Sequence, residues 1–343
     1  MRHRHLPSVV TVILLACSGF GRELSPIRLE AIVTLGATSG DGAIATTPVV
    51  GARHPGGFRI VVPAASAIGT LPLIFDDDGH FLGSLRGDSS LAGTFNGPMF
   101  SRLGPGDSIW VFDNSSRVLI FSPQRKYVRS VTLPGVHWDA AVLRDGRVVV
   151  SGDSESAVQL FDPGGVLVRK IGVRNGGGRP ADESRTILLV RNGSIWTTTT
   201  VRAWRLEHWD TAGARLGAVE PTANWFPRAD TAQFERTRAT DRPAAPRIVA
   251  AWTDVSGRLW VVGEVADQHW VRGVAATDGD KYYDTIVDVR DPYTGKLLAT
   301  TRFDNHYASM AEPGVLVHEI RTSAGWLRAE LFQVVFDEPT SRP

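Results

Sequence analysis

A two-part unit of short strands recurs along the chain, and it constrains the fold more than any other feature of the 343 residues. Its first part is a turn followed by a β-rich run, at residues 57–62, 106–111, 145–150, 192–196 and 256–261. Its second part is an apolar strand ending in Asp or Ser and then a turn, at residues 75–79, 121–123, 161–165, 209–213 and 291–295. Each is a hairpin signal. An apolar run such as residues 139–143 precedes the first part, and a strand such as residues 167–172 follows the second, which makes four strands per unit. Val61, Trp110, Val149, Trp196, Trp260 and Leu316 hold matching positions, with a mean spacing of 51 residues. That period and strand count predict the blades of a β-propeller.

Five units lie in line, and the sixth is assembled from both ends of the chain. Residues 307–312, 315–320 and 327–336 supply three strands, and residues 27–36 supply the missing fourth. Pairing the first strand with the last blade closes the ring and removes edges that would template aggregation. The expectation is an all-β domain over 27–338 with six blades of four antiparallel strands, followed by a tail at 339–343. Composition agrees. The 35 Gly and 20 Pro suit many turns, while one Cys and three Met exclude a disulfide scaffold and a multi-Cys zinc module. Lys and Arg number 37 against 36 Asp and Glu, with no basic run, so no nucleic-acid partner is expected.

The first 26 residues read differently. Arg2 and Arg4 precede an apolar stretch at 6–16, which has the layout of an export signal and is too short to span a bilayer. Leu14-Leu15-Ala16-Cys17 closes it and resembles a bacterial lipobox, which implies that residues 1–16 are removed, that Cys17 is lipidated and that 17–26 form a linker. Cleavage there would remove two arginines and no acid, leaving a mature charge of −1. Ser18 rather than Asp after the Cys favours outer-membrane attachment, so the expected location is a membrane-anchored lipoprotein of the periplasm or outer membrane.

Trp110-Val111-Phe112-Asp113, followed by residues 117–121, resembles the NHL-repeat and TolB-like six-bladed propellers of bacteria. The resemblance is one of architecture over residues 27–336. It carries over no catalytic residue, since a fold does not fix a function.

Strand parity then sorts the loops. With strands named a to d outward from the axis, d-to-a and b-to-c connections share one face, and a-to-b and c-to-d connections share the other. The long segments 36–47, 87–97, 173–184, 222–246 and 265–284 all fall on the first face, which is therefore the expected binding face. Trp225 and Trp270 stand out in its two largest insertions, with arginines and tyrosines around them, a mixture that suits carbohydrate, peptide or anionic ligands. The starts of the inner strands, near Arg53, Met99, His137, Arg185, Arg247 and His306, are expected to surround the channel mouth. The competing structural roles are loop stapling for the tryptophans and ion pairing for the arginines.

Enzymatic signatures are poor: there is no H-E-x-x-H pair and no G-x-S-x-G elbow. Asp76-Asp77-Asp78-Gly79 lacks the alternating ligands of a calcium loop and reads as a solvated turn. No catalytic residue, metal site or cofactor is assigned. Two classes of function remain. The first is a cell-envelope binding or scaffolding propeller with a protein, peptide or glycan ligand. The second is a metal-dependent hydrolase or lactonase similar to the gluconolactonase group, which would need Asp, Glu and Asn oxygens in the channel.

Overall fold

The computed structural model of the chain describes residues 27–63, 70–87, 94–135, 139–151, 156–172, 185–191, 194–199, 204–226, 243–274 and 278–337. They form six four-stranded antiparallel sheets, arranged as the blades of a propeller with almost no helix. The chain starts with β1 (Ile27–Leu35). Blade 1 is β2 (Pro48–Val50), β3 (Phe58–Pro63), β4 (Leu73–Asp76) and β5 (Phe81–Ser84). Blade 2 is β6 (Pro98–Leu103), β7 (Ile109–Asp113), β8 (Arg117–Phe121) and β9 (Tyr127–Thr132). Blade 3 is β10 (Asp139–Val142), β11 (Val148–Ser151), β12 (Val158–Phe161) and β13 (Leu167–Ile171). Blade 4 is β14 (Arg185–Arg191), β15 (Ser194–Thr199), β16 (Leu206–Asp210) and β17 (Arg215–Val219). Blade 5 is β18 (Arg247–Thr253), β19 (Leu259–Ala266), β20 (Tyr283–Arg290) and β21 (Leu297–Phe303), with the single turn α1 (Gly279–Tyr282) between β19 and β20. Blade 6 is β22 (Tyr307–Glu312), β23 (Val315–Arg321) and β24 (Leu327–Phe336), completed by β1 in the order β1-β24-β23-β22.

The closure is a full strand pairing. Ile27 faces Phe336 and Leu35 faces Ala329, with one bulge between Ala31 and Val33. Both ends of β1 are buried, Leu35 among the residues of blades 6 and 1 and Ile27 among those of blades 5 and 6. The strand thus contributes apolar surface to two inter-blade seams as well as a hydrogen-bonded ladder.

The second landmark of the repeat has a physical reason. In blades 1, 3 and 4 the Asp that ends strand c turns its carboxylate back onto the hairpin: Asp76 accepts the N–H of Asp78 and His80, Asp162 that of Gly164 and Val166, and Asp210 that of Ala214. The ladder slips by one residue beside each such turn, between Ile74 and Phe75, Leu160 and Phe161, and His208 and Trp209. The turn needs a left-handed residue, and Gly165 supplies it with φ +88°, its Cα so close to the previous blade that an added Cβ would lie 2.4 Å from the Thr132 carbonyl.

The first landmark builds the core. Trp110, Trp196 and Trp260, at the second or third position of their b strands, are buried between blades, and Trp260 stacks on Trp252 with ring centroids 5.3 Å apart. Six apolar clusters occupy the seams.

Candidate functional site

The connections sort by parity as expected. The strand ends that bound 36–47, 85–97, 172–184, 220–246 and 267–282 lie on one face, and the a-to-b and c-to-d turns lie on the other. The blade-five insertion is shorter than the sequence suggests, because β19 runs to Ala266 and β20 starts at Tyr283.

At the looped end of the seam between blades 5 and 6, five elements converge on one buried carboxylate. Glu264, near the end of β19, is fully buried. Its Oε2 accepts a hydrogen bond from Arg247 Nε at the start of β18, and its Oε1 pairs with His306 Nε2, 2.7 Å away, just before β22. Tyr283 lies beside both partners, with the Arg247 guanidinium 5.8 Å from its ring centre and the His306 ring stacked on it at 4.8 Å. Helix α1 places Asp280 so that its carboxylate accepts the His306 backbone N–H at 2.9 Å and pairs with His318 of β23 at 3.1 Å. Gly279 makes the fit possible, since a Cβ there would sit 2.5 Å from His306 Nδ1.

The electrostatics follow. Burial would push the Glu264 carboxyl up, but hydrogen bonds and charge from His306 and Arg247 outweigh it and hold the group below the ordinary carboxylate value. Burial likewise opposes charge on His318, yet Asp280 and Glu330 outweigh it and hold the imidazole above its usual value. Burial pushes the Glu319 carboxyl and the Tyr283 phenol up. Arg247 has 47% of its side chain exposed while its partner has none. The guanidinium is therefore fixed through Nε from below, and the rest of its fork sits at the face over an aromatic ring, an arrangement suited to a carboxylate, phosphate or other planar polar group.

The residues singled out from sequence fall as follows. Arg247 and His306 are brought together on Glu264. Arg185 is the first residue of β14, an inner strand. Cys17 and His137 lie outside the described residues. Trp225 is half-buried: it rests on Gly263, tilts against Trp204 at 5.6 Å and donates its indole N–H to Asp288 at 3.2 Å. Trp225 is thereby fastened to the seam between blades 4 and 5. Trp270 is half-buried, and its indole nitrogen has no partner among the described residues. Arg53 is a correction: the inner strand of blade 1 is Pro48–Val50, so Arg53 follows it onto the tight-turn face and pairs with Asp77. The sequence reading missed Glu264, Asp280 and His318. A signal for the first was present, a lone carboxylate inside an otherwise apolar eight-residue strand, which burial would make costly without a partner.

The described inner strands carry two carboxylates, and both are held in ion pairs, Asp139 with Arg102 and Glu312 with Arg59. In the blade 1 turn, Asp76, Asp78 and His80 lie close together, but Asp76 is occupied in capping the turn and Asp77 pairs with Arg53. Among the described residues no helix is long and apolar enough to cross a membrane.

The molecule is a six-bladed β-propeller with an elaborated face. No protein-family model matches the chain, and no curated protein matches its sequence. It is similar in structure to a candidate exported protein of Bacteroides fragilis NCTC 9343, with a TM-score of 0.60, 10% identity, and coverage of 92% of this chain and 97% of that one. A protein of unknown function from Bacteroides caccae aligns over 74% of this chain and 80% of its own, with a TM-score of 0.45 and 11% identity. BBS1N, solved in complex with ARL6DN, aligns over 88% and 81%, with a TM-score of 0.48 and 11% identity. At such identities the likeness is one of fold.

Proposed function

We propose that the chain is an exported cell-envelope binding propeller, of the NHL-repeat or TolB-like kind and anchored through Cys17, which presents its looped face to a protein, peptide or glycan ligand. One observation carries the reading: a fully buried glutamate on β19 holds an arginine from β18 and a histidine from the neighbouring blade, so that a half-exposed guanidinium stands fixed over Tyr283 on the looped face. Structural stabilisation alone would favour an apolar pair in that seam, because burying an ionised carboxylate rarely adds net stability. A preorganised cation is useful instead for recognition, since the entropy of ordering the side chain is lost before the ligand arrives. The candidate exported protein of Bacteroides fragilis shares the fold and agrees with export.

The hydrolase reading is not favoured. The carboxylates that a hard channel metal would require are already held by arginines on the described inner strands.

The test is a binding screen of the purified chain against envelope glycans and acidic peptides, repeated with Arg247→Lys and Trp270→Ala. Arg247→Lys keeps the charge but loses the fork, and is expected to weaken binding about tenfold at unchanged melting temperature. Trp270→Ala is expected to weaken it ~30-fold if the indole is a desolvated anchor. Equal affinity of parent and Arg247→Lys for every ligand found would overturn the site.

A further inference from the structure

The large apolar side chains left exposed are distributed unevenly. Among the described residues the looped face carries one, Val271, whereas the tight-turn end carries a run of them. The outer strands of blades 1, 2 and 6 carry one each, Leu82, Val128 and Ile32, and most of the rest lie at the tight-turn end of three consecutive blades: Val166, Leu167 and Val168 in blade 3, Leu216 in blade 4, and Val255, Tyr293, Leu297 and Leu298 in blade 5. Contacts between the blades make this arc continuous. Arg169 of β13 donates to the Ala212 carbonyl in the blade 4 turn, and Tyr293 of the blade 5 turn, 74% exposed, meets Trp196 of blade 4 edge-on at 6.2 Å. Cations flank the arc at Arg169, Arg215 and Lys296. The aspartates nearby, Asp162, Asp210 and Asp291, turn their carboxylates onto the backbone of their own turns.

A second observation places the chain's entry beside this surface. β1 runs from the tight-turn end to the looped end, so the chain enters the propeller at Ile27 on the same side as the arc. Ile27 shares its core cluster with Ala299 of β21, the strand that carries Leu297 and Leu298. The ten residues 17–26 separate this entry point from Cys17, a spacer that reaches about 35 Å at full extension.

We propose that the tight-turn rim of blades 3 to 5 rests on a lipid bilayer at headgroup level, and that the looped face thereby points away from the membrane. Apolar and aromatic side chains interleaved with arginine and lysine suit that layer, where the ring or aliphatic tip enters the acyl boundary and the cations stay with the headgroups. The two signals do different things. The lipid on Cys17 would hold the chain at the membrane, and a shallow apolar patch adds the contact that sets which side of the folded domain rests on it. The inference rests on the anchored reading above for its tether, while the seating itself is a property of the folded rim.

The test uses the full chain reconstituted into phosphatidylethanolamine–phosphatidylglycerol vesicles that contain nitroxide-labelled lipid. A bimane probe is attached at Leu298→Cys or at Val271→Cys, and the unsubstituted chain is carried as the control for labelling at Cys17. The probe at Leu298→Cys is expected to lose at least half its fluorescence to the nitroxide, and the probe at Val271→Cys less than a tenth. Adding Leu167→Glu and Leu216→Glu to Leu298→Cys should reduce the quenching at least twofold with the chain still on the vesicles. Both positions are exposed, so the melting temperature should not move. Equal, weak quenching at the two probe positions overturns the seating and leaves ligand binding at Arg247 standing. Burial of the rim against a second copy, seen as a dimer by sedimentation together with an unquenched Leu298→Cys probe, also overturns it. A parent chain that stays in the soluble fraction overturns the seating and the Cys17 anchor together.

Discussion

Glu264 is costly to bury and has two partners of different kinds, Arg247 with nearly half its side chain in solvent and His306 mostly shielded. Arg247→Ala leaves the carboxylate with the imidazole alone. It is expected to cost about 2 kcal/mol, a value discounted from that of a fully buried pair because the arginine is half exposed. Combining it with Glu264→Gln should recover part of the loss, and a double-mutant cycle in denaturant measures the coupling. His318 and Asp280 make a second test, in pH. The imidazole is raised above its ordinary 6.5, so its contribution to stability is complete below that value and lost as pH rises through the higher folded value. Asp280 is lowered below its ordinary 3.8, so its contribution is present above that value and lost on acidification. The pair therefore stabilises most between the two. His318→Gln should lower the melting temperature by about 2 °C at pH 5 to 6 and by less at pH 8.5, with Asp280 half in solvent limiting the size. A difference that grows with pH would refute this assignment.

At the scale of the element, the c-to-d hairpin and the closing strand carry the argument. Gly165 combines a left-handed backbone with a 2.4 Å approach to the neighbouring blade, whereas Gly257 has a similar φ of +80° and open space around it. Gly165→Ala is thus expected to cost about 3 kcal/mol and Gly257→Ala about 1 kcal/mol, as read from unfolding midpoints. Similar losses at both sites would mean that backbone conformation alone decides. For β1, Leu35→Ala removes a fully buried side chain from the seam between blades 6 and 1 and should cost roughly 3 kcal/mol. Deleting the strand would expose the edge of β24 along its length, and aggregation is the expected result. A soluble deletion variant with the parent's melting temperature would show that β1 is not needed to hold the ring.

For the whole molecule, the arrangement of faces matters more than any single contact. Cys17→Ala is expected to shift the chain from the membrane fraction to the soluble one or to block its processing, and an intact mass with an unmodified Cys17 would refute the anchor. The blades, their number and the closing strand were legible in the sequence because they follow from local chemistry. A turn that needs Asp and Gly, and a run that needs alternating apolar residues, mark themselves wherever they occur, as at Asp162-Pro163-Gly164-Gly165 before β13. Which loops share a face was legible too, since antiparallel order fixes parity. The partners of Glu264 were only half legible. Arg247, 17 residues away, stands opposite it in the β18–β19 register, so their pairing follows from the hairpin, whereas His306, 42 residues away, reaches it from the entry to the next blade, and that meeting depends on how neighbouring sheets stack. Arg53 shows the same limit in reverse: a shift of the inner strand to Pro48–Val50 moved it to the opposite face. The sequence by itself determined the sheets and their order, because hydrogen-bonded pairing is encoded in short-range pattern. Only the tertiary structure decided the site, because contacts across a seam are set by the twist and packing of blades that share no local sequence signal.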